Sequence, residues 1–236
     1  MNAVWHIYRR ELGRYFHSPI AYIVVVLFLL ITGGMFWASF FEGFPELSMR
    51  RFFGDAPLFL GFFAPAISMG LLAEEKRSGT LELLMTMPVS DFQIVLGKFA
   101  AAMTLLSITL LFTFPYAISI STMGDLDWGP VIGGYAGLLL LGGSYVAIGM
   151  MASSWTREQI VAILMGFFLC FVLFILDRLF TNSTGLVAQI AEYLSSNYHF
   201  QNIARGVIRL SDVLYYVSIV GICLTVTRNA LASRRW

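Results

Sequence analysis

Glu74-Glu75-Lys76-Arg77-Ser78-Gly79-Thr80-Leu81-Glu82-Leu83-Leu84 carries seven charged or hydroxyl side chains in eleven residues, in a chain that is only 12% charged. Long apolar runs flank it on both sides. A polar island this short between two such runs reads as a connector at a membrane face. That reading decides the fold as all-α, because a run crossing hydrocarbon must satisfy its own backbone hydrogen bonds, as a helix does. The island continues as Met85-Thr86-Met87-Pro88-Val89-Ser90, where Pro88 can end a short helix and Ser90 can cap the next. A short helix that mixes charge with leucine, held at a membrane face, is suited to docking on another protein.

Composition agrees. The 236 residues are 58% hydrophobic with a mean hydropathy of +0.77, against roughly 45–50% apolar in a soluble domain. Several charge-free runs reach the ~20 residues of helix that cross a bilayer. Six windows are read as spans: 19–41, 56–73, 99–124, 128–156, 159–176 and 213–227. The whole of 1–236 is read as one transmembrane domain. No cleavable signal peptide is expected, since the first apolar run starts near Pro19 and is too long for one. A net charge of +1 gives a nucleic-acid role no support. Cys170 and Cys223 sit inside apolar runs, as buried small hydrophobes do.

Six spans put both termini on one side, and Lys and Arg choose the side. One face carries Arg9, Arg10, Arg14, Lys76, Arg77, Lys98, Arg157, Arg228, Arg234 and Arg235; the other carries Arg50, Arg51, Arg178, Arg205 and Arg209. Ten against five places the termini and the 74–98 island in the cytoplasm. Ser90-Asp91-Phe92-Gln93 and Thr156-Arg157-Glu158-Gln159 fit the capping-box pattern, each opening a span. Pro130 suits the first turn of span four, and Ser211 or Asp212 can cap span six. Kinks are expected at Pro65 and Pro115.

Two flanking segments are amphipathic. In 2–17, Trp5, Tyr8, Leu12, Tyr15 and Phe16 share a face, with Arg9, Arg10, Glu11 and Arg14 elsewhere. The pattern suits a helix lying in the cytoplasmic interface. In the outer segment 183–210, Leu186, Ile190 and Tyr193 share one face, and Phe200, Ile203, Val207 and Leu210 another. Two short outer helices are expected there, with Arg205 and Arg209 four apart on one face.

Absences narrow the function. The six windows lack Asp, Glu, Lys, Arg and His. Ion-coupled carriers and membrane-embedded hydrolases need such groups at depth. The Gly97-Lys98 pair is followed by Phe99, and Phe92 stands five before Gly97, so the phosphate-cradling loop is missing. Energy for any driven work must come from a partner.

The island, followed by Met87-Pro88-Val89-Ser90 and Gly97-Lys98, resembles the first cytoplasmic loop of type-2 permeases of ATP-binding-cassette (ABC) transporters. The opening Tyr8-Arg9-Arg10-Glu11-Leu12-Gly13-Arg14-Tyr15-Phe16-His17-Ser18-Pro19-Ile20-Ala21-Tyr22 resembles their amphipathic N-terminal helix leading into span one. Residues 200–208 with Asp212-Val213-Leu214-Tyr215-Tyr216 resemble the gliding-motility-associated subgroup. The resemblance implies a six-span permease of the bacterial cytoplasmic membrane, paired with a second permease, identical or related, and two ATPase subunits. It implies no cofactor or metal on this chain, with ATP and Mg held by the partner ATPase. It makes 78–88 a coupling helix seated on that ATPase, with Glu74, Glu75, Arg77, Gly79, Thr80, Leu81, Glu82, Leu84 and Met85 at the contact. Leu81, Leu84 and Met85 have the spacing of one helical face. Phe200, Arg205, Arg209 and Asp212 become an outer cap.

Two functions follow as expectations. One is an exporter whose path is lined by spans one, two and five. The phenylalanines there (Phe59, Phe62, Phe63, Phe167, Phe168, Phe171) suit a lipid-like substrate, or read more simply as lipid-facing and packing surface. The other is a mechanotransmitter that passes ATPase strokes to a membrane protein with an extracytoplasmic domain docked on residues 181–212. A passive channel lacks any charged ring to support it.

Overall fold

The computed structural model describes residues 2–41, 49–80, 89–124, 126–179 and 186–233. Among them the chain is helical throughout: α1 Asn2–His17, α2 Pro19–Phe41, α3 Arg50–Ser68, α4 Ala73–Arg77, α5 Asp91–Leu111, α6 Phe114–Ser121, α7 Trp128–Trp155, α8 Gln159–Leu179, α9 Leu186–Leu194, α10 Ser196–Ala204 and α11 Leu210–Ala232. Six stretches are long and apolar enough to cross a membrane: Pro19–Ala38, Arg50–Arg77, Asp91–Ser121, Trp128–Trp155, Gln159–Leu176 and Leu210–Ala232. This is an all-α polytopic membrane protein. Residues 81–88 lie outside the described residues, and with them Leu81, Glu82, Leu84 and Met85 of the expected coupling helix.

Local signals explain most of the boundaries. Ser90 forms its capping box: its hydroxyl accepts from Gln93 N at 3.3 Å, and Gln93 Oε1 accepts from Ser90 N at 3.0 Å. Asp127 caps α7 by accepting from Gly129 N at 3.0 Å, with Pro130 in the first turn. At Thr156 the hydroxyl accepts instead from Glu158 N, 3.1 Å away, and α8 begins at Gln159. Pro115 acts as a break, with α5 ending at Leu111 and α6 opening at Phe114. Near Pro65 the helix continues to Ser68, and a turn over 69–72 separates α3 from α4.

α7 is the axis of the bundle and packs on α3, α5, α8, α10 and α11. Glycines let its neighbours approach to backbone contact. A Cβ at Gly134 would lie 2.4 Å from the Phe53 ring, and one at Gly149 would lie 2.8 Å from Pro65 Cα. The spans containing α3 and α7 each bury 72% of their apolar window, whereas α2 and α8 bury 22%. The latter two are therefore peripheral, and their outward side chains (Leu30, Ile160, Leu164, Phe168) have only lipid or another chain to meet.

Three sequence expectations are corrected here. In α1 the side facing the protein is Ile7 and Glu11, both buried, while Trp5 and Phe16 point outward. The cause is Gly97, whose missing side chain lets Ile7 settle against α5; a Cβ there would come within 2.8 Å of Ile7 Cγ2. The second outer helix stops at Ala204, followed by Gly206 at φ +85°. Val207 and Leu210 therefore leave the face of Phe200 and Ile203 and are exposed, and Arg205 and Arg209 flank a turn and do not share a helix. Finally, α11 starts at Leu210, so Ser211 and Asp212 lie inside it and neither caps it.

Candidate functional site: a charged junction at one end of the bundle

α4 is five residues long, and its three consecutive charged side chains reach three different places. Glu74 Oε2 accepts from Gln159 Nε2 at the start of α8, at 2.6 Å. Glu75 Oε1 meets Lys98 Nζ of α5 at 2.7 Å and Arg10 Nη2 of α1 at 3.3 Å. Lys76 Nζ donates to the Ser154 carbonyl at the C-terminal end of α7, where a helix favours positive charge. Successive residues of a helix point in different directions, so a single turn can hold three neighbours at once.

The turn before α4 is pinned as well. Ser153 Oγ accepts from Leu72 N at 3.2 Å and Ala73 N at 2.9 Å, and donates to the Met69 carbonyl at 2.6 Å. The break between α3 and α4 leaves those amides without helical partners, and one hydroxyl from α7 satisfies both.

Glu11 completes the junction. Its Oε1 lies 3.0 Å from Lys98 Nζ and 2.8 Å from Arg10 Nη2. Lys98 is fully buried and Glu11 is 2% exposed, so the lysine's charge is met by two carboxylates in a protein interior. Burial works to raise the Glu11 carboxyl, but Lys98 and Arg10 outweigh it and hold it below the ordinary range. Nearby, Tyr15 donates to the Ile67 carbonyl at 2.7 Å, and burial pushes its phenol upward. A cavity of about 80 Å³ opens beside this junction between Arg14, Tyr15, Ala21, Ile67 and Leu105.

Beyond the anchored half, α4 ends in an exposed one. Arg77, Ser78, Gly79 and Thr80 all face outward. Ser78 Oγ donates to the Glu74 carbonyl at 2.8 Å, and Gly79 takes φ +72°, the left-handed position that terminates a helix. Of the expected contact residues, then, Glu74 and Glu75 are held inward, Arg77, Gly79 and Thr80 are presented, and the remainder fall in 81–88.

The expected outer residues do not form one cluster. Phe200 is buried against α7 near Gly137. Asp212 is buried with His199, while Arg205 and Arg209 are exposed. The sequence reading missed Glu11, Lys98, Ser153, Gln159 and His199. It also took the spans to be free of ionisable groups, whereas the helices extend past those windows and bury Lys98 and Asp212. The available signal was the position of Lys98 one residue from an apolar run.

A bundle of six apolar helices with a charged junction gathered at one end defines a multi-pass membrane protein. The chain belongs to the ABC-2 family transporter proteins, whose family model matches residues 55–222, more than half of its length. It is 29% identical over 120 residues to the probable ABC transporter permease protein NosY of Stutzerimonas stutzeri, covering 48% of this chain and 44% of that protein. It is 26% identical over 171 residues to the protein of the same name from Pseudomonas aeruginosa, covering 67% and 62%. The chain thus matches less than two thirds of the length of either relative. Neither name supports the gliding-motility subgroup expected from residues 200–208 and 212–216. ABC-2 permeases are the membrane-embedded part of the transporter and lack a nucleotide-binding domain, and this chain is accordingly a type-2, inner-membrane ABC transporter permease subunit.

Proposed function

We propose that this chain is the membrane-spanning subunit of an ATP-driven exporter, moved by a separate ATPase seated on residues 74–87. The supporting observation is the three-way attachment of α4 through Glu74, Glu75 and Lys76. A push delivered to the exposed Arg77–Thr80 end and the following residues reaches α1, α5, α7 and α8 through short, mostly buried contacts. A flexible connector would absorb it. Leu81, Leu84 and Met85 supply the apolar knobs of the coupling helix, and Arg77 and Glu82 its rim charges. The junction faces the cytoplasm, as do both termini. Two ATPase subunits, carrying ATP and Mg, and a second permease complete the assembly.

Glu75→Ala and Leu84→Ala test the assignment. Loss of an interface knob such as Leu84 costs about 2 kcal/mol or more, which is roughly thirty-fold in Kd, whereas Glu75, held inward by Lys98 and Arg10, acts as the span-end anchor that positions the contact. Recovery of the ATPase on detergent-solubilised variants should fall accordingly. Wild-type recovery and activity in both variants would remove the contact from 74–87.

The second reading is mechanotransmission to an extracytoplasmic partner, the role the resemblance to the gliding subgroup suggests. It is favoured by the fully exposed α10–α11 connection, where Arg205, Val207, Ile208, Arg209 and Leu210 all face outward. ATPase activity stimulated by a substrate in liposomes separates the two, since only the exporter responds.

A further inference from the structure

The cavity of about 80 Å³ beside the charged junction has two unlike walls. One is apolar, made by Ala21 and Val24 of α2, Ala66 and Ile67 of α3, and Leu105 of α5. The other is polar, made by Arg14 and Ser18 around the α1–α2 turn and by Gln159 of α8. The volume is several times the ~10–15 Å³ that one water needs, yet the apolar wall offers water nothing to bond. A space of this kind suits an amphiphile, with its polar group at one wall and its carbon chain at the other.

Its level in the fold agrees. α2 starts at Pro19, α3 ends at Ser68 and α8 starts at Gln159, so the cavity lies at the ends of three membrane-spanning stretches. Exposed Phe16 and Tyr22 flank the α1–α2 turn, with ring centroids 6.5 Å apart and the Tyr22 hydroxyl donating to the Phe16 carbonyl at 3.1 Å. Exposed aromatic rings at a span end sit at the level of lipid headgroups.

Arg14 has donors to spare. Its Nη1 is 3.8 Å from Glu11 Oε2, close enough for an ion pair and too far for a hydrogen bond. Glu11 Oε1 is already shared by Lys98 and Arg10. The guanidinium is thus held at the cavity while its planar fork of N–H groups stays open to an oxyanion. The other charges that α1 turns outward, on Arg9 and Arg10, are basic too, and its one acid, Glu11, is buried. A basic face on an interfacial helix attracts anionic lipid.

We propose that this cavity binds an anionic glycerophospholipid, with its phosphodiester on Arg14 and the start of one acyl chain against Ala21, Val24 and Ile67. The chain continues over α2, where Ile20, Ile23 and Leu27 are exposed. One lipid then bridges α1, α2 and α3, at a helix that buries only 22% of its apolar window against the protein. The site rests neither on the exporter reading nor on which membrane face the junction occupies, since both leaflets offer phosphodiesters.

The test uses the full chain in phosphatidylcholine nanodiscs doped with phosphatidylglycerol that carries a photoactivatable diazirine on its acyl chain. Cross-linking at residues 20–24 is compared with that at Ile160, Leu164 and Phe168, which α8 exposes and which report ordinary surrounding lipid. In the wild-type protein the cavity site should label well above the α8 face. Arg14→Gln should lower the cavity yield about tenfold, the weight of one charge-assisted hydrogen bond, and leave α8 unchanged. Arg14→Lys keeps the charge and should restore most of it, whereas Ala21→Leu fills the space and should lower it with Arg14 intact. Unlabelled phosphatidylglycerol should compete; glycerol phosphate, which lacks chains, and diacylglycerol, which lacks phosphate, should not. Equal labelling of the two regions, or a cavity yield indifferent to Arg14→Gln, would overturn the proposal. So would full competition by glycerol phosphate, which would make this a free-phosphate site, or by diacylglycerol, which would make it an apolar void. Arg14 is exposed, so its variants should fold; if Ala21→Leu does not, the two Arg14 variants and the competitors decide.

Discussion

Replacing Lys98 by Met should be among the most damaging single changes available in this chain, although it removes no apolar surface. Lys98 is fully buried, with Nζ 3.0 Å from Glu11 Oε1 and 2.7 Å from Glu75 Oε1. Methionine fills nearly the same volume, so cavity formation is a minor cost. What remains is two carboxylates, 2% and 9% exposed, facing each other across the vacated charge. Arg10 still touches both, but it is half exposed and its charge is screened. Removing one partner from a buried ion pair costs about 3–5 kcal/mol. At about 2–4 °C per kcal/mol for a chain of this size, Tm should fall by about 6–20 °C. Thermal unfolding of the purified protein in one detergent reads this directly. The control is the triple variant Lys98→Met, Glu11→Gln, Glu75→Gln, in which no buried charge is left uncompensated. It should recover at least half of the loss. A single variant within 2 °C of wild type, or a triple variant as unstable as the single, would refute the claim that these charges hold α1, α4 and α5 together.

The same Glu11 sets an acid limit. Its carboxyl is held below the ordinary range, so its contribution is present above the unfolded value and is lost as pH falls through the folded one; acid unfolding should show this as a loss of α1 protection, absent in Glu11→Gln. Cysteines placed at Ser78 and Ser233 should be shielded from an impermeant thiol reagent in intact cells while one at Ser183 labels, and labelling at Ser78 would reverse the proposed orientation. Charge reversal at both Arg205 and Arg209 should impair function and leave ATPase recovery unchanged, because both residues are exposed at the far end of α7 from the junction; intact function would reduce the turn to a connector.

What was legible in the sequence was what repeats locally. Apolar runs gave the spans, Ser90 with Gln93 gave a helix start, and Pro115 gave a break, because each depends on residues within a few positions of one another. The charged junction was not legible for the opposite reason. Glu11 is 87 residues from Lys98, and Arg10 is 65 from Glu75, and charge alone does not say which distant partner it will meet. Glu11 was assigned to the polar side of α1 because a carboxylate is normally solvated; a buried lysine opposite it inverts that expectation. Asp212 illustrates a boundary error. Reading it as a cap required the helix to begin there, whereas α11 starts two residues earlier and turns the same side chain inward to His199.

The packing also limits how a stroke can travel. α3 is seated closely on α7, since Pro65 and Ser68 meet Gly149 at a distance that leaves no room for even a methyl group. The turn joining α3 to α4 is fastened to the same helix by Ser153, and Lys76 fastens α4 itself to the end of α7. α3, α4 and α7 are therefore fastened together, and α8 joins them at Gly166, where a Cβ would lie 3.0 Å from Pro65 Cβ and 3.2 Å from Gly149 Cα. α2 buries only 22% of its apolar window, and its contacts include large rings such as the edge-on Phe28–Phe63 pair. On the exporter reading proposed above, a displacement of this unit is taken up where the packing is thinnest, at α2. On that reading the lever is Glu74, Glu75 and Lys76, which join α4 to α8, α5 and α7, and the yielding side is α2.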